Sequence, residues 1–347
     1  MRILPEIGLT FDDVLLVPRK SNIKSRFGGG IDLSVEVLPG IKIKHPIISS
    51  NMDTVSEYDL VEKIQSLGGL GVIHRFLTIE EHIEQLKKLS GVKIGCIGVS
   101  ENGRKRAELI APFCNGILID IAHGHCDAVF NQIEWLKNNI NLPIIAGNVA
   151  TGEAVEDLAK AGVDGIKFGV GPGSLCSTRI NTGNGMPQLT GLINARRALY
   201  SLVETGFFKD KRIPIIIGDG GIKNSGDIVK ALVAGADCIM LGGLLAGTHE
   251  APGAVMNING SRVKSFRGMA SREAQESWKG VATSIEGEAT WVSYKGPVEN
   301  VYNDLVSGIL SGMSYQDARN ICELRKNATF IRQTNASLTE SKPHGLK

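Results

Sequence analysis

The sequence lacks several features that would place the protein in a common class. None of its apolar runs approaches the roughly 20 residues of a membrane-spanning helix, and residues 1–6 carry no apolar core of a secretory signal peptide. It contains no block of basic residues, and the formal net charge is only +2 over 347 residues, which argues against nucleic acid as the main partner. We therefore expect a soluble cytoplasmic protein that binds neither membranes nor nucleic acid.

Paired cysteines are also absent. The six cysteines are scattered and form no Cys-x-x-Cys pair, so the spacing does not indicate a zinc or dithiol site. Five lie in apolar or helical surroundings, where a buried free thiol is the usual case. Only Cys176 lies in a glycine-rich loop, Gly169–Arg179, which follows the apolar run Gly165–Phe168. Three glycines and a proline let this loop turn tightly and expose its backbone polar groups.

A repeating pattern predicts the fold. Short apolar runs alternate with amphipathic segments, and hydrophobic residues make up 42% of the chain, enough for a large core. Strands that are apolar on both faces and alternate with helices indicate parallel pairing with right-handed crossovers, and eight such units close a (β/α)8 TIM barrel of the α/β class. The eight runs are Pro46–Ser49, Leu70–His74, Lys93–Val99, Gly116–Asp120, Pro143–Gly147, Gly165–Phe168, Ile213–Gly218 and Cys238–Leu241.

We expect a single domain over residues 1–334, whose N-terminal lead-in packs across one end of the barrel. The eighth run is followed by a long excursion over residues 242–296. The segments expected outside the repeat are a hairpin turn at Asn257–Ser261, a mobile flap at about 272–288, a final barrel helix from near Pro297, a last helix at about Tyr315–Leu324 and a disordered tail at 335–347.

Two pairs of glycines indicate where a ligand binds. Active sites of such barrels form at the C-terminal ends of the strands, and phosphate is often held by the loops after strands seven and eight. Those loops are Gly218–Gly221 and Leu241–Gly243, whose glycines let backbone N–H groups approach an anion. Asp219 carries a carboxylate that suits the diol of a ribose. The ligand is therefore expected to be a nucleotide or sugar phosphate.

Candidate helpers of the Cys176 thiol lie on two segments. Thr178 and Arg179 are close to it in the chain, and a nearby cation and glycine amides would favour the thiolate. Glu286 lies where the flap rejoins the barrel, so its carboxyl could polarise Thr178 and help to move a proton. The competing interpretation of Glu286 is a solvated surface glutamate.

The loop Asp120–His125 follows the fourth run and contains two histidines. Histidines on a strand-end loop are well placed to touch a ligand, although a lone histidine is usually structural. Their spacing could also suggest a metal site, but no third ligand is evident.

These motifs together resemble the IMP dehydrogenase and GMP reductase family over nearly the whole chain. The loop Gly169–Arg179 is similar to the family's active-site cysteine loop. Further segments similar to family blocks, in the same order, are Ile47–Val55, Ala146–Val149, Gly218–Gly221, Leu241–Gly243, Phe266–Met269 and Tyr294–Gly296.

Within the family the resemblance favours the reductases. Dehydrogenases usually carry regulatory (CBS) domains after the second strand, but His74–Leu77 runs directly into a helix. They also carry an Arg-Tyr pair in the flap that activates water, and residues 272–285 contain none. Asn51–Asp53 and Asp120–His125 resemble reductases. Ser177, at a position where the family usually has threonine, and Phe266–Ala270, which is more like the dehydrogenase version, depart from that pattern.

The resemblance implies an NADPH-dependent reductive deamination of GMP to IMP and ammonia through a covalent thioimidate on Cys176, with Thr178 and Glu286 handling protons. It also implies a homotetramer. Two alternatives stay open: an NAD-dependent IMP dehydrogenase without regulatory domains, and a nucleotide-binding regulator that has lost catalysis.

The resemblance also implies which residues bind ligands. The implied ligand residues are Ser50, Met52, Ser174, Asp219, Gly221, Gly242, Gly243, Gly268 and Met269 for the nucleotide, Asp120, His123 and Asn148 for the nicotinamide side, and the backbone carbonyls of Gly171, Gly173 and Cys176 for a potassium ion.

Overall fold

The computed structural model describes residues 3–26, 30–343 and 345. The strands are β1 Val14–Leu16, β2 Val35–Leu38, β3 Ile41–Ile43, β4 Ile47–Ser49, β5 Leu70–Gly71, β6 Ile94–Ile97, β7 Gly116–Asp120, β8 Ile144–Val149, β9 Gly165–Phe168, β10 Ile215–Asp219, β11 Cys238–Leu241, β12 Met256–Ile258, β13 Ser261–Arg267, β14 Ala289–Ser293 and β15 Phe330–Arg332. Eight of them are parallel and form the central sheet, in the spatial order β5-β4-β11-β10-β9-β8-β7-β6.

The sheet closes into a barrel where Ile73, just after β5, pairs in parallel with Gly95 of β6. The TIM-barrel prediction is confirmed, and each of the eight predicted runs overlaps one barrel strand, although β8 and β10 extend past the predicted ends to Val149 and Asp219. The helices are α1 Tyr58–Ser66, α2 Ile79–Lys88, α3 Glu101–Ile110, α4 Asp127–Asn139, α5 Gly152–Ala161, α6 Thr178–Thr182, α7 Gln188–Glu204, α8 Ser225–Ala234, α9 Arg272–Lys279, α10 Val298–Tyr315, α11 Ile321–Asn327 and α12 Asn335–Glu340.

The connection between β5 and α2 is short. Helix α2 begins at Ile79 with a capping box, in which the Thr78 hydroxyl accepts from the Glu81 amide and the Glu81 carboxylate accepts from the Thr78 amide. The chain therefore enters α2 a few residues after β5, and no inserted domain interrupts the barrel at this point.

The N-terminal lead-in closes the lower end of the barrel. Strands β2 and β3 pair as an antiparallel hairpin. Their side chains Val37, Leu38 and Ile43 join the barrel interior in one buried apolar cluster. Val14–Leu16 pairs with the C-terminal strand Phe330–Arg332, so the two ends of the described chain are tied together.

The excursion after β11 folds into a three-stranded antiparallel sheet, β12-β13-β14. Its first turn is the predicted hairpin turn, and Asn259 and Gly260 both have positive φ there, as a tight two-residue turn requires. The predicted flap contains α9, whose first turn is capped by the Ser271 hydroxyl. Strand β14 then returns the chain to the barrel.

Two expectations for the C-terminal region differ from the structure. The last helix was expected from Tyr315, but α10 runs to Tyr315 and α11 begins at Ile321, because Asp317 has positive φ and breaks the helical path. The expected disordered tail begins with helix α12, which the Thr334 hydroxyl caps by accepting from the Ser337 amide. Residues 344, 346 and 347 of that tail lie outside the described residues. No helix in the described part of the chain is long and apolar enough to span a membrane.

Candidate active site

The loop after β9 is held in a tight conformation. Gly169 has φ +144°, and a Cβ there would lie 2.1 Å from the backbone oxygen of Asp219, so only glycine allows this approach. The Arg179 guanidinium donates to the carbonyls of Val170 at 3.2 Å and Met186 at 2.5 Å. Arg179 therefore fixes the loop from within, in addition to placing positive charge near it.

Cys176, Thr178 and Glu286 form a continuous hydrogen-bonded line. The Cys176 Sγ–Thr178 Oγ1 distance is 3.1 Å, and Thr178 Oγ1 donates to Glu286 Oε2 at 2.8 Å. Thiol, hydroxyl and carboxylate thus stand in the order a proton would follow between sulfur and carboxylate. Glu286 is half-buried, so it is not the solvated surface glutamate of the competing interpretation.

Backbone pairing explains how Glu286 reaches a loop that is far away in sequence. The Ser177 amide donates to the Glu286 carbonyl at 3.0 Å, and the Glu288 amide donates to the Leu175 carbonyl at 2.9 Å. These bonds hold the returning end of the flap beside the cysteine loop as a short antiparallel bridge. The flap therefore completes the site.

The two glycine turns meet this loop from the other side. Gly220 and Gly221 have positive φ, and a Cβ on Gly220 would clash with Pro172 at 2.9 Å. A Cβ on Gly243 would lie 3.2 Å from the Ser174 hydroxyl. The turns after β10 and β11 therefore lie against the cysteine loop.

These loops surround a cleft of about 1010 Å³. All nine residues that sequence analysis assigned to a nucleotide line it, together with Cys176, Thr178 and Glu286. Asp120 and Asn148 line it as well, whereas His123 is exposed and is not among its lining residues. His125 instead bonds to Asp157 at 2.9 Å. The roles of these residues stay predictions, and the structure brings all but His123 together.

A largely buried ionic cluster in the wall of the cleft was missed by the sequence reasoning. Lys167 of β9 is only 4% exposed, and its ammonium lies 2.6 Å from Asp120 Oδ1 and 2.9 Å from Asp219 Oδ2. Asn148 donates to the same oxygen of Asp219 at 2.9 Å. The signal was visible as a lysine inside an otherwise apolar strand, where an unpaired charge would be costly.

The charges in this cluster stabilise one another. Burial by itself would lower the pKa of Lys167, but Asp120 and Asp219 outweigh burial and raise it above its ordinary value. Burial would raise the pKa of Asp120, but Lys167 and Arg75 outweigh it and hold that pKa below its usual range. Lys167 and Asp120 are therefore both charged at neutral pH.

The flap also contacts the barrel through aromatic side chains. Trp278 of α9 meets Phe76 edge-on, with ring centroids 5.0 Å apart. The Arg75 guanidinium lies 4.6 Å from the Phe76 ring and 5.6 Å from the Trp278 ring, distances typical of cation–π contacts. All three line the cleft. Sequence reasoning singled out none of them, because their contact depends on where the flap settles.

The predicted potassium ligands lie on one turn of the cysteine loop. Carbonyl oxygens are suitable ligands for a hard cation, but the Gly173 carbonyl already accepts from the Cys176 amide at 3.1 Å. The Arg179 side chain also packs against Gly171. Within residues 3–26, 30–343 and 345, no group of three or more His, Cys, Asp or Glu side chains is arranged to hold a metal ion.

The other cysteines take no part in this cleft. Cys96 and Cys238 are buried, and Cys114 and Cys126 are half-buried. Burial raises the pKa of Cys96 to about 12, so it stays a thiol. The expectation of burial is wrong for Cys322, which is exposed on α11.

The structure is a TIM barrel that gathers a loop cysteine, a hydroxyl, a carboxylate and two glycine turns at its C-terminal end, where enzymes of this fold have their active sites. A family model described as the IMP dehydrogenase / GMP reductase domain matches residues 8–344. The chain belongs to this family, whose members are oxidoreductases that use a nicotinamide cofactor.

Relatives of both activities are similar to the chain. The IMP dehydrogenase of Cryptosporidium parvum is 34% identical, with 98% of this chain and 96% of the relative covered. The GMP reductase of Leishmania donovani is 30% identical, with 99% and 98% covered. A crystal structure of a cysteine-to-alanine variant of GMP reductase from Trypanosoma brucei, in complex with guanosine 5′-monophosphate, has a TM-score of 0.90 at 29% identity and covers 99% of this chain and 98% of that one.

Proposed function

We propose that this protein is a GMP reductase that converts GMP and NADPH to IMP, ammonia and NADP⁺. The observation that carries the proposal is the line Cys176–Thr178–Glu286 beside two glycine turns. The likeness to the trypanosomal structure with bound guanosine 5′-monophosphate supports a purine nucleotide as ligand. Residues 272–285 of the flap contain no Arg-Tyr pair, so the water activator of the dehydrogenases is not found.

The first half of the proposed reaction is exchange of ammonia for sulfur at C2 of the guanine ring. Cys176 passes its proton through the Thr178 hydroxyl to Glu286, and its sulfur attacks C2. Glu286 then returns that proton through Thr178 to the exocyclic amine, because an amine leaves only when protonated. The C2–N bond breaks, ammonia departs and a thioimidate joins Cys176 to the purine.

The second half removes the sulfur. NADPH supplies the hydride to C2. The bond between Sγ and C2 then breaks, the Cys176 thiolate leaves with the bonding electrons and takes up a proton, and IMP is released. Closure of the flap over the cleft keeps water away from the thioimidate. Water would otherwise hydrolyse the thioimidate to a different product.

The finer assignments follow from this activity. Ser174 and the turns at Gly221, Gly242 and Gly243 hold the phosphate, Asp219 holds the ribose, and Met52, Gly268 and Met269 border the base. Asp120 and Asn148 face the nicotinamide. We propose a cytoplasmic homotetramer on the basis of the family resemblance alone.

An absorbance assay at the nicotinamide wavelength tests the proposal. We expect NADPH to be consumed when GMP is supplied, with equimolar IMP and ammonia formed. Formation of NADH from NAD and IMP would instead assign a dehydrogenase. This outcome is worth measuring because dehydrogenase and reductase relatives have similar sequence identity to the chain. Nucleotide binding with neither reaction would assign a regulator without catalysis.

A further inference from the structure

Lys167 connects two carboxylates that the proposed function places on different ligands. Asp120 ends β7 and Asp219 ends β10, while Lys167 lies on β9, which pairs with β10 directly and with β7 only through β8. Its single ammonium lies within 2.9 Å of an oxygen of each. The carboxylate assigned to the cofactor and the carboxylate assigned to the nucleotide therefore contact the same atom, Lys167 Nζ.

The other side chains around the cluster each act on one of the two carboxylates. Asn148 donates to Asp219, and Arg75 and Asn51 act on Asp120 from the loops after β5 and β4. Cys96 of β6 also faces Asp120. Without Lys167, Asp120 would keep Arg75 as a nearby cation, while Asp219 would lose its ion pair. Breaking a buried ion pair is costly because it leaves charge uncompensated. At least one carboxylate would turn away or take up a proton.

We infer that Lys167 is a positioning residue that sets Asp219 for the nucleotide ribose and Asp120 for the nicotinamide cofactor at the same time. This inference rests on the proposed function, because that function assigns the two carboxylates to the two ligands. Lys167 itself need not touch either ligand. It acts by fixing the direction and charge of both carboxylates, so its loss affects two binding sites together.

Replacing Lys167 with methionine tests this role. We expect Lys167→Met to weaken GMP binding, measured by calorimetry without cofactor, and to raise the KM for NADPH, each by about tenfold or more, since a hydrogen bond to a charged group is lost at each carboxylate. Asp219→Asn should weaken only GMP binding, and Asp120→Asn should raise only the cofactor KM. Lys167→Arg should recover part of both effects.

Lys264→Met is the matched control. Lys264 is also buried, at 2% exposure, and its ammonium bonds to the carbonyls of Thr248, His249 and Ala251 outside the cleft. Its replacement should lower the melting temperature without changing GMP binding or the cofactor KM. A merely structural role of Lys167 would make the two variants behave alike.

The outcomes distinguish failure of the proposed function from failure of the inference about Lys167. If the wild-type protein binds no GMP, the proposed function fails. If the wild-type protein binds GMP and Lys167→Met changes only one of the two ligand affinities, or neither, the inference about Lys167 is overturned while the proposed function stands. The inference is supported if Lys167→Met weakens the binding of both ligands, Lys167→Arg partly restores both, and Lys264→Met changes neither.

Discussion

The barrel is closed by apolar side chains at its N-terminal end and opens at its C-terminal end into a cleft that carries polar and ionisable side chains. At the lower end Val37, Leu38 and Ile43 complete a cluster of aliphatic and thiol side chains. At the upper end a cysteine, several hydroxyls, carboxylates, a lysine and closely packed glycine backbones surround the cleft. Residues at the lower end should therefore determine stability, and residues at the upper end chemistry, as is usual for this fold.

Replacing the sulfur should give the largest change. Cys176→Ala is expected to abolish NADPH oxidation, by at least about 10⁴-fold, since loss of a nucleophile removes the covalent route. GMP binding by calorimetry should persist, because the glycine turns and Asp219 are untouched. The control Cys322→Ala removes an exposed thiol and should turn over normally. Turnover by Cys176→Ala would refute the covalent step.

Glu286→Gln should come next. It keeps the shape of the side chain and removes the proton acceptor beside Thr178, so steady-state deamination should fall about 10²- to 10⁴-fold, the usual contribution of general acid–base catalysis, while GMP affinity changes little. Glu288→Gln alters an exposed neighbour on the same returning segment and should leave the rate unchanged. Equal rates for both variants would clear Glu286 of a proton role.

At the opposite end, Leu38→Ala should separate stability from chemistry. Leu38 is fully buried, and its truncation leaves a cavity that lowers the free energy of unfolding by about 2–5 kcal/mol. The kcat and KM measured below the melting transition should stay within about twofold. Leu109→Ala, on the exposed side of α3, should change stability by less than about 0.5 kcal/mol. A large fall in kcat for Leu38→Ala would contradict the division between the two ends.

The buried histidine His82, away from both ends of the barrel, is expected to make a smaller contribution, a dependence of folding stability on pH. Burial, aided by Arg106 and His74, lowers its pKa from 6.5 to about 3. Below pH 6.5 the unfolded chain takes up a proton that the folded chain does not, so stability falls as the pH falls towards 3. The loss at pH 5 is about 2 kcal/mol at 1.36 kcal/mol per pH unit.

Thermal unfolding of His82→Leu at pH 7 and pH 5 measures the loss of stability that is due to His82. The melting temperature of the variant should fall less between the two pH values than that of the wild-type protein. His249→Leu, at an exposed position, should keep the wild-type difference. An unchanged difference in His82→Leu would exclude His82 as its source.

Local patterns in the sequence account for much of the fold and of the site. The eight apolar runs predicted the barrel strands because a strand buried on both faces leaves a clear signal. The glycine-rich segments predicted where the Cys176 loop and the two glycine turns lie, since close backbone approach at Gly169 and Gly220 requires glycine.

Features that depend on tertiary contacts were not predicted. Lys167 pairs with carboxylates distant in sequence, and the Arg75–Phe76–Trp278 contact forms only when the flap docks. The tail helix at Asn335–Glu340 escaped prediction because its polar sequence has no apolar stripe, although Thr334 caps it.

The most direct test of the central claim is the mass of the peptide that contains Cys176 after the enzyme is mixed with GMP and a limiting amount of NADPH and quenched in acid during turnover. We predict a purine nucleotide attached to Cys176 that disappears when NADPH is added in excess and the reaction runs to completion. An unmodified Cys176 peptide in a protein that is actively forming IMP would contradict the account.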